Sequence, residues 1–223
     1  MRVHVVFTPD EVLESPVAVV VDILRATSTI AQALASGYRR VYCCREVEDA
    51  QALREKLGEG LLGGERKAVK IGGFDIGASP WEVLEPRSET LIYSTTNGTR
   101  AVLAAASACR KVLLGSLLNL SAVAAAVKDD CVIVCAGFQG QFALDDAYCA
   151  GRIVELLGGE VTDAAKASAI LARSFSTAHE ALLARTYGPP GLEEDIRFCA
   201  QEDVIDVVPR FTRMVDSAAE VTL

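Results

Sequence analysis

The chain has 223 residues, 51% of them hydrophobic and 23% charged, with a formal net charge of −8 and a pI near 4.9. Such a length can bury a substantial α/β core. The acidic balance excludes a general affinity for nucleic acid or anionic membrane, so an anionic ligand must be held by local arginines and backbone amides.

The opening, Met1 to Phe7, is too short and strand-like for a signal peptide, and no apolar run reaches the length of a membrane span, so a cytoplasmic protein is expected. Strands are predicted at Val3 to Phe7, Val17 to Val21, Arg40 to Cys44, Leu61 to Gly63, Thr90 to Ser94, Lys111 to Leu114 and Cys131 to Ala136. Helical patterns separate most of them, at Thr27 to Ser36, Val47 to Leu57, Gly98 to Ser107 and Ser121 to Lys128. This βα alternation predicts an α/β fold, a three-layer αβα sandwich on a mostly parallel sheet, with one domain over residues 1–223. The C-terminal third, about 143–200, is helix-rich: helices are expected from Ala143 to about Gly158, from Thr162 to Phe175 and from Thr177 to Tyr187, with breakers at 158–159 and 188–191. A last strand near Val204 to Val208 is expected at an edge, in either the parallel or the antiparallel sense. Seven cysteines without a CxxC pair, mostly in apolar runs, read as buried reduced thiols.

In open α/β sheets ligands bind beyond the carboxyl ends of the strands, and there this chain is polar. The stretch Val17 to Ile30 reads as a buried strand handing Asp22, Arg25, Thr27, Ser28 and Thr29 to a helix start. Later strand ends are followed by Gly63-Gly-Glu-Arg66, by Ser94-Thr-Thr-Asn-Gly-Thr99, by Ser116 and Asn119, and by Gly137-Phe-Gln-Gly140 leading to Asp145 and Asp146. Five loops would face one crevice. Taken alone, a hydroxyl-rich helix start is usually only a cap. Here it occurs twice, at Thr27–Thr29 and at Thr95, Thr96, Asn97, Gly98 and Thr99, with Arg25 and Arg66 as bidentate forks, which together read as an oxyanion pocket. Asp22, Glu65, Asp75 and Asp146 offer hard oxygens suited to Mg²⁺.

These motifs, together with Gly73-Phe-Asp-Ile-Gly-Ala-Ser-Pro80 and the segment from Cys135 through Asp146 to Gly151, resemble in order and spacing the 2-phosphosulfolactate phosphatases over about residues 3–155. The resemblance implies an αβα fold and Mg²⁺-dependent hydrolysis of 2-phospho-3-sulfolactate to 3-sulfolactate, a step toward coenzyme M. It makes the partner a small phosphorylated sulfo-acid, and leaves room for a homo-oligomer. On this reading Asp22, Arg25 and Arg66 are catalytic, the two hydroxyl-rich helix starts bind substrate, and Glu65, Asp75 and Asp146 bind metal; water or Asp22 attacks phosphorus. The chain departs from the family pattern at Lys67, where Gly is commoner, at Ala78 and at Asp145, and His179 aligns only loosely. A phosphatase for another small phosphorylated hydroxy acid and a non-catalytic phosphometabolite-binding domain are the alternative readings.

Overall fold

The computed structural model describes residues 1–11, 13–188 and 191–223; Pro189 and Pro190, half of the breaker expected at 188–191, lie outside the described residues. In chain order the elements are β1 (Arg2–Val6), β2 (Ser15–Val21), α1 (Ala26–Ala35), β3 (Arg40–Cys44), α2 (Val47–Leu57), β4 (Leu61–Arg66), β5 (Val69–Lys70), β6 (Thr90–Ser94) and α3 (Gly98–Ala108). They continue as β7 (Cys109–Gly115), α4 (Leu120–Ala126), β8 (Cys131–Cys135), α5 (Leu144–Leu157), β9 (Glu160–Val161), α6 (Asp163–Arg173), α7 (Ala178–Leu183), α8 (Glu193–Cys199), β10 (Arg210–Val215) and β11 (Ala218–Thr222).

The described strands form one sheet in the order β5-β4-β6-β3-β11-β10-β7-β2-β8-β1-β9. Pairing is parallel except around β5 and the β10–β11 hairpin. The run Val17–Val21 shows why the architecture has three layers. Successive side chains of a strand point to opposite faces: Val17, Val19 and Val21 enter one apolar core, while Ala18 and Val20 enter another. The first core packs α4 and α5, backed by α6, α7 and α8; the second packs α1 and α3. A β2 strand covered on both faces has no use for polar alternation, and its sequence has none.

Two expectations are corrected. Residues 204–208 form no strand; instead Ile205 N–H donates to Leu118 O at 3.1 Å and Asn119 Nδ2 donates to Val207 O at 3.0 Å, so the segment runs as a strap over the loop after β7. The late strands are the β10–β11 hairpin, and it sits in the middle of the sheet rather than at its edge. Antiparallel β11 pairs with β3 (Val221 with Val41), and β10 meets β7 at Arg210 and Leu113, so the C-terminal residues bridge two parallel blocks. Buried Glu220 fixes the bridge by accepting hydrogen bonds from Tyr42 Oη at 3.1 Å and Arg213 Nε at 2.7 Å. The helix expected over 177–187 stops at Leu183, and α8 was not anticipated.

Candidate active site

At the carboxyl ends of β2, β4, β6 and β8 the loops enclose a cavity of about 260 Å³. Asp22, Arg25, Glu65, Thr95, Thr96 and Asn97 all line it, so the strand-end residues read from the sequence do converge. Four of the five expected loops contribute. The fifth does not: Ser116 and Asn119 are fully buried and bonded to each other, with Ser116 N–H donating to Asn119 Oδ1 at 2.9 Å.

Asp22 sits at the bottom, 8% exposed. Its Oδ1 accepts the Ala26 N–H at 3.2 Å, while its backbone is stapled to Thr27, whose hydroxyl donates to Asp22 O at 3.0 Å. Burial pushes the Asp22 carboxyl up to about 7; the Ala26 amide opposes this, Glu65 and Asp145 add to it, and Arg25 offsets part. Gly98, the first residue of α3, is required by this packing, because a Cβ there would lie 2.4 Å from Ala26 Cβ and 2.7 Å from Asp22 Oδ2. Its absence lets the N-terminus of α3 approach the carboxylate and open onto the cavity beside Asn97.

Arg25 is held from three sides. Its Nη1 donates to Asp195 Oδ2 at 2.7 Å and to Ser79 Oγ at 3.2 Å, and its Nη2 donates to Ala68 O at 3.1 Å. Burial alone would loosen the guanidinium proton; the Asp195 bond more than restores it, so Arg25 remains a cation. Glu65 is clamped by two amides, with Thr96 N–H donating to Oε1 at 2.8 Å and Ala68 N–H to Oε2 at 2.6 Å. Those amides belong to the loop after β6 and to the Lys67-Ala68 turn that joins β4 to β5. Both turn residues have positive φ, 54° and 62°. Lys67 therefore occupies a position where glycine would be unstrained, the same position at which the chain departs from the resembled pattern.

Several predicted residues are placed elsewhere. The β4 strand runs on through Glu65 and Arg66, and strand alternation sends the two to opposite faces. Arg66 consequently donates to Arg45 O at 2.7 Å and to Ser94 Oγ at 2.9 Å, outside the cavity lining. Asp75 accepts from Leu62 N–H at 2.8 Å and pairs with Arg54 at 3.1 Å, also away from it. Both Asp146 oxygens accept backbone N–H groups, from Ile23 and Gly137 at 2.9 Å. The Thr27, Ser28 and Thr29 hydroxyls donate to the carbonyls of Asp22, Ile23 and Ala78, so they brace the turn and cap no helix. Thr99 is buried, donating its N–H to Thr95 Oγ1 at 3.2 Å. His179 is exposed on α7.

The residues that sequence reading missed come from the segment between α7 and α8. Arg185 and Tyr187 line the cavity, and Arg185 makes no ion pair among the described residues. Tyr187 stacks on Phe138, with ring centroids 4.3 Å apart at 21°, and its hydroxyl donates to Asp145 Oδ1. Burial, Asp145 and Asp146 push the Tyr187 hydroxyl up, so it stays protonated and donates. The signal for this segment was faint: one arginine and one tyrosine at the end of an amphipathic helix.

A hard cation is chemically suited to part of this acid cluster. Among the described residues no three His, Cys, Asp or Glu side chains close on one point. Mg²⁺ commonly takes only one or two protein carboxylates, with water and phosphate completing its shell, so a smaller set would suffice. Asp22 Oδ2 and Asp145 Oδ2 have no hydrogen-bond partner among the described residues, and Asp145 adds to the upward push on Asp22. Burial likewise raises Asp145, against the Tyr187 hydroxyl, the Asp146 amide and Arg185. A buried carboxyl pushed up by a neighbouring acid is what a divalent cation relieves.

A family model described as 2-phosphosulpholactate phosphatase matches residues 6–214. Similar proteins include those named probable 2-phosphosulfolactate phosphatase from Carboxydothermus hydrogenoformans, 38% identical over 94% of this chain and 92% of the relative, and from Pseudothermotoga lettingae, 39% identical over 94% and 95%. A third, of the same name, from Caldanaerobacter subterraneus subsp. tengcongensis, is 41% identical over 90% of both chains.

Proposed function

The chain belongs to the 2-phosphosulfolactate phosphatase family, and from that premise we propose that it hydrolyses the phosphate monoester of 2-phospho-3-sulfolactate to 3-sulfolactate and phosphate. We place the reaction in the cytoplasm, with Mg²⁺, on a route to coenzyme M. The observation that carries this reading is one cavity that joins Asp22 and the α3 N-terminus to three cations, Arg25, Lys67 and Arg185. The substrate has a phosphate and two further acid groups. Arg25 has a carboxylate partner; Lys67 and Arg185 have none among the described residues, which suits them to the sulfonate and carboxylate.

Asp22 Oδ2 and Asp145 Oδ2 would hold the Mg²⁺. When bound, the ion would polarise a phosphoryl oxygen and neutralise charge on it. The α3 N-terminal amides and Arg25 orient the phosphate and stabilise the charge that builds on its oxygens as the ester bond breaks. In this reading the attacking group is water rather than Asp22, whose Oδ1 is committed to the Ala26 amide. The water enters in line with the leaving sulfolactate oxygen, the P–O ester bond breaks as the new P–O bond forms, and the proton the water gives up ends on the sulfolactate hydroxyl. Arg66 has no part in it, since its donors go to Arg45 O and Ser94 Oγ.

The test is a phosphate-release screen over small phosphorylated acids, 2-phosphosulfolactate among them, with Mg²⁺ and with EDTA. Mg²⁺-dependent release, fastest from the sulfonated ester, is expected. Equal rates on esters lacking the sulfonate would move the reading to another hydroxy acid, and phosphate binding with no turnover of any ester would make the protein a binding module.

A further inference from the structure

We propose that Asp195 is a positioning residue that aims Arg25 at the phosphate. Asp195 lies on α8, more than 160 residues from Arg25 in the chain, and its side chain is 5% exposed. Every contact it makes concerns the wall behind Arg25. Oδ2 receives Arg25 Nη1 at 2.7 Å and the Ser79 hydroxyl at 3.0 Å, and Oδ1 receives Trp81 Nε1 at 3.1 Å. Ser79 in turn accepts from the same Nη1 at 3.2 Å, and Ala68 O takes one Nη2 hydrogen at 3.1 Å.

A guanidinium has five N–H groups. Nη1 makes two hydrogen bonds to this wall and Nη2 one, which leaves Nε–H and a second Nη2 hydrogen without a protein partner among the described residues. Two donors on one planar cation are the bidentate fork that grips a phosphate. The charge of Asp195 matters as well as its geometry. Arg25 lies within electrostatic reach of Glu65 and Asp22, on the cavity side. Without Asp195 those acids are the nearest counter-charges, and the guanidinium would turn onto them and close its donors to the ligand. Asp195 holds the cation away from the acids by pairing with it from behind.

The proposal rests on the phosphate-binding part of the reading above, not on the identity of the ester. It is tested by calorimetric binding of inorganic phosphate, in the presence of Mg²⁺, to the full chain and its variants. Arg25→Gln and Asp195→Asn should each weaken phosphate by about tenfold, the scale of a lost charge-assisted hydrogen bond. The double variant should be no weaker than Arg25→Gln alone, because Asp195 acts only through Arg25. Asp195→Glu should recover part of the loss, and Trp81→Phe, which removes a bond to Asp195 but spares the ion pair, should stay within about twofold of wild type. Additive losses in the double variant, wild-type affinity in Asp195→Asn, or no phosphate binding by the wild type would each overturn it. If Asp195→Asn fails to fold, Ser79→Ala removes the hydroxyl shared by both partners; about threefold weaker binding supports the proposal and unchanged binding defeats it. The expected pattern without turnover of 2-phosphosulfolactate would support Asp195 and remove only the substrate reading.

Discussion

Replacing Asp22 by Asn should make the metal-free protein more stable at alkaline pH, although it removes a residue at the centre of the site. In the folded chain the Asp22 carboxyl keeps its proton up to about 7, against an ordinary 3.8, because burial penalises its charged form. The sign follows from linkage: below 3.8 both states are protonated and nothing is lost, between 3.8 and about 7 the unfolded chain is ionised while the folded carboxyl is not, so stability falls across that window and levels off above it. At about 1.4 kcal/mol per tenfold change in proton affinity, the displacement from 3.8 to about 7 corresponds to ~4 kcal/mol lost above neutrality. Asn keeps the shape and can still accept the Ala26 amide with Oδ1, but has no charge to desolvate. Urea unfolding in EDTA should therefore show an advantage for Asp22→Asn below about 1 kcal/mol at pH 4, growing to roughly 2–4 kcal/mol at pH 8.5. Adding Mg²⁺ at pH 8.5 should stabilise the wild type and leave the variant unchanged. A variant no more stable than wild type at pH 8.5, or a difference independent of pH, would refute the account of Asp22 as a strained acid awaiting a cation.

Three further outcomes follow from the same geometry. Arg185→Ala should raise KM for 2-phosphosulfolactate by about tenfold while changing kcat little, and should affect a phosphate ester lacking the second and third acid groups much less, as steady-state kinetics on both esters would reveal. Gly98→Ala has to displace either Ala26 or the Asp22 carboxylate, both within 2.7 Å of the new Cβ; a loss of about 2 kcal/mol or more in thermal unfolding and of most activity is expected. Tyr187→Phe keeps the stack on Phe138 and loses only the bond to Asp145, so it should cost about 1 kcal/mol, whereas Tyr187→Ala, which loses both, should cost clearly more.

How much of this was legible in the sequence depended on the range of the interaction. Strands such as Val17–Val21 and the βα alternation are local patterns, and the structure has them where the periodicity put them. The strand-end rule located Asp22, Arg25, Glu65 and Asn97 in one cavity, because topology alone brings those loops to one end of a parallel sheet. What side chains do within a loop was not legible. Thr27, Ser28 and Thr29 look like ligand hydroxyls, yet each finds a carbonyl within its own wall, and Arg66 was misplaced because β4 runs three residues further than its apolar core suggested. The hairpin of β10 and β11 was missed for a related reason. None of the six β10 residues is fully buried, so the strand carries no apolar signature, and only Ala218–Val221 enters the core.

The parts that escaped the sequence share one origin, the last third of the chain, and this bears on how the site is built. The loops after β2, β4, β6 and β8 supply the acids, Arg25 and the α3 N-terminus, but they leave Arg25 facing Asp22 and Glu65 with no counter-charge behind it. Asp195 on α8 provides the opposing charge, Tyr187 ties Asp145 to the β8 loop through Phe138, and β10–β11 welds β3 to β7 so that the two sets of loops keep a common frame. Each of these contacts spans a long stretch of chain, so each carries a loop-closure cost that only the docked fold repays. The earlier strands set the position of the phosphate pocket, while the late segments set its charge balance; a variant that loosened α8 would therefore be expected to weaken phosphate binding before it unfolded the sheet.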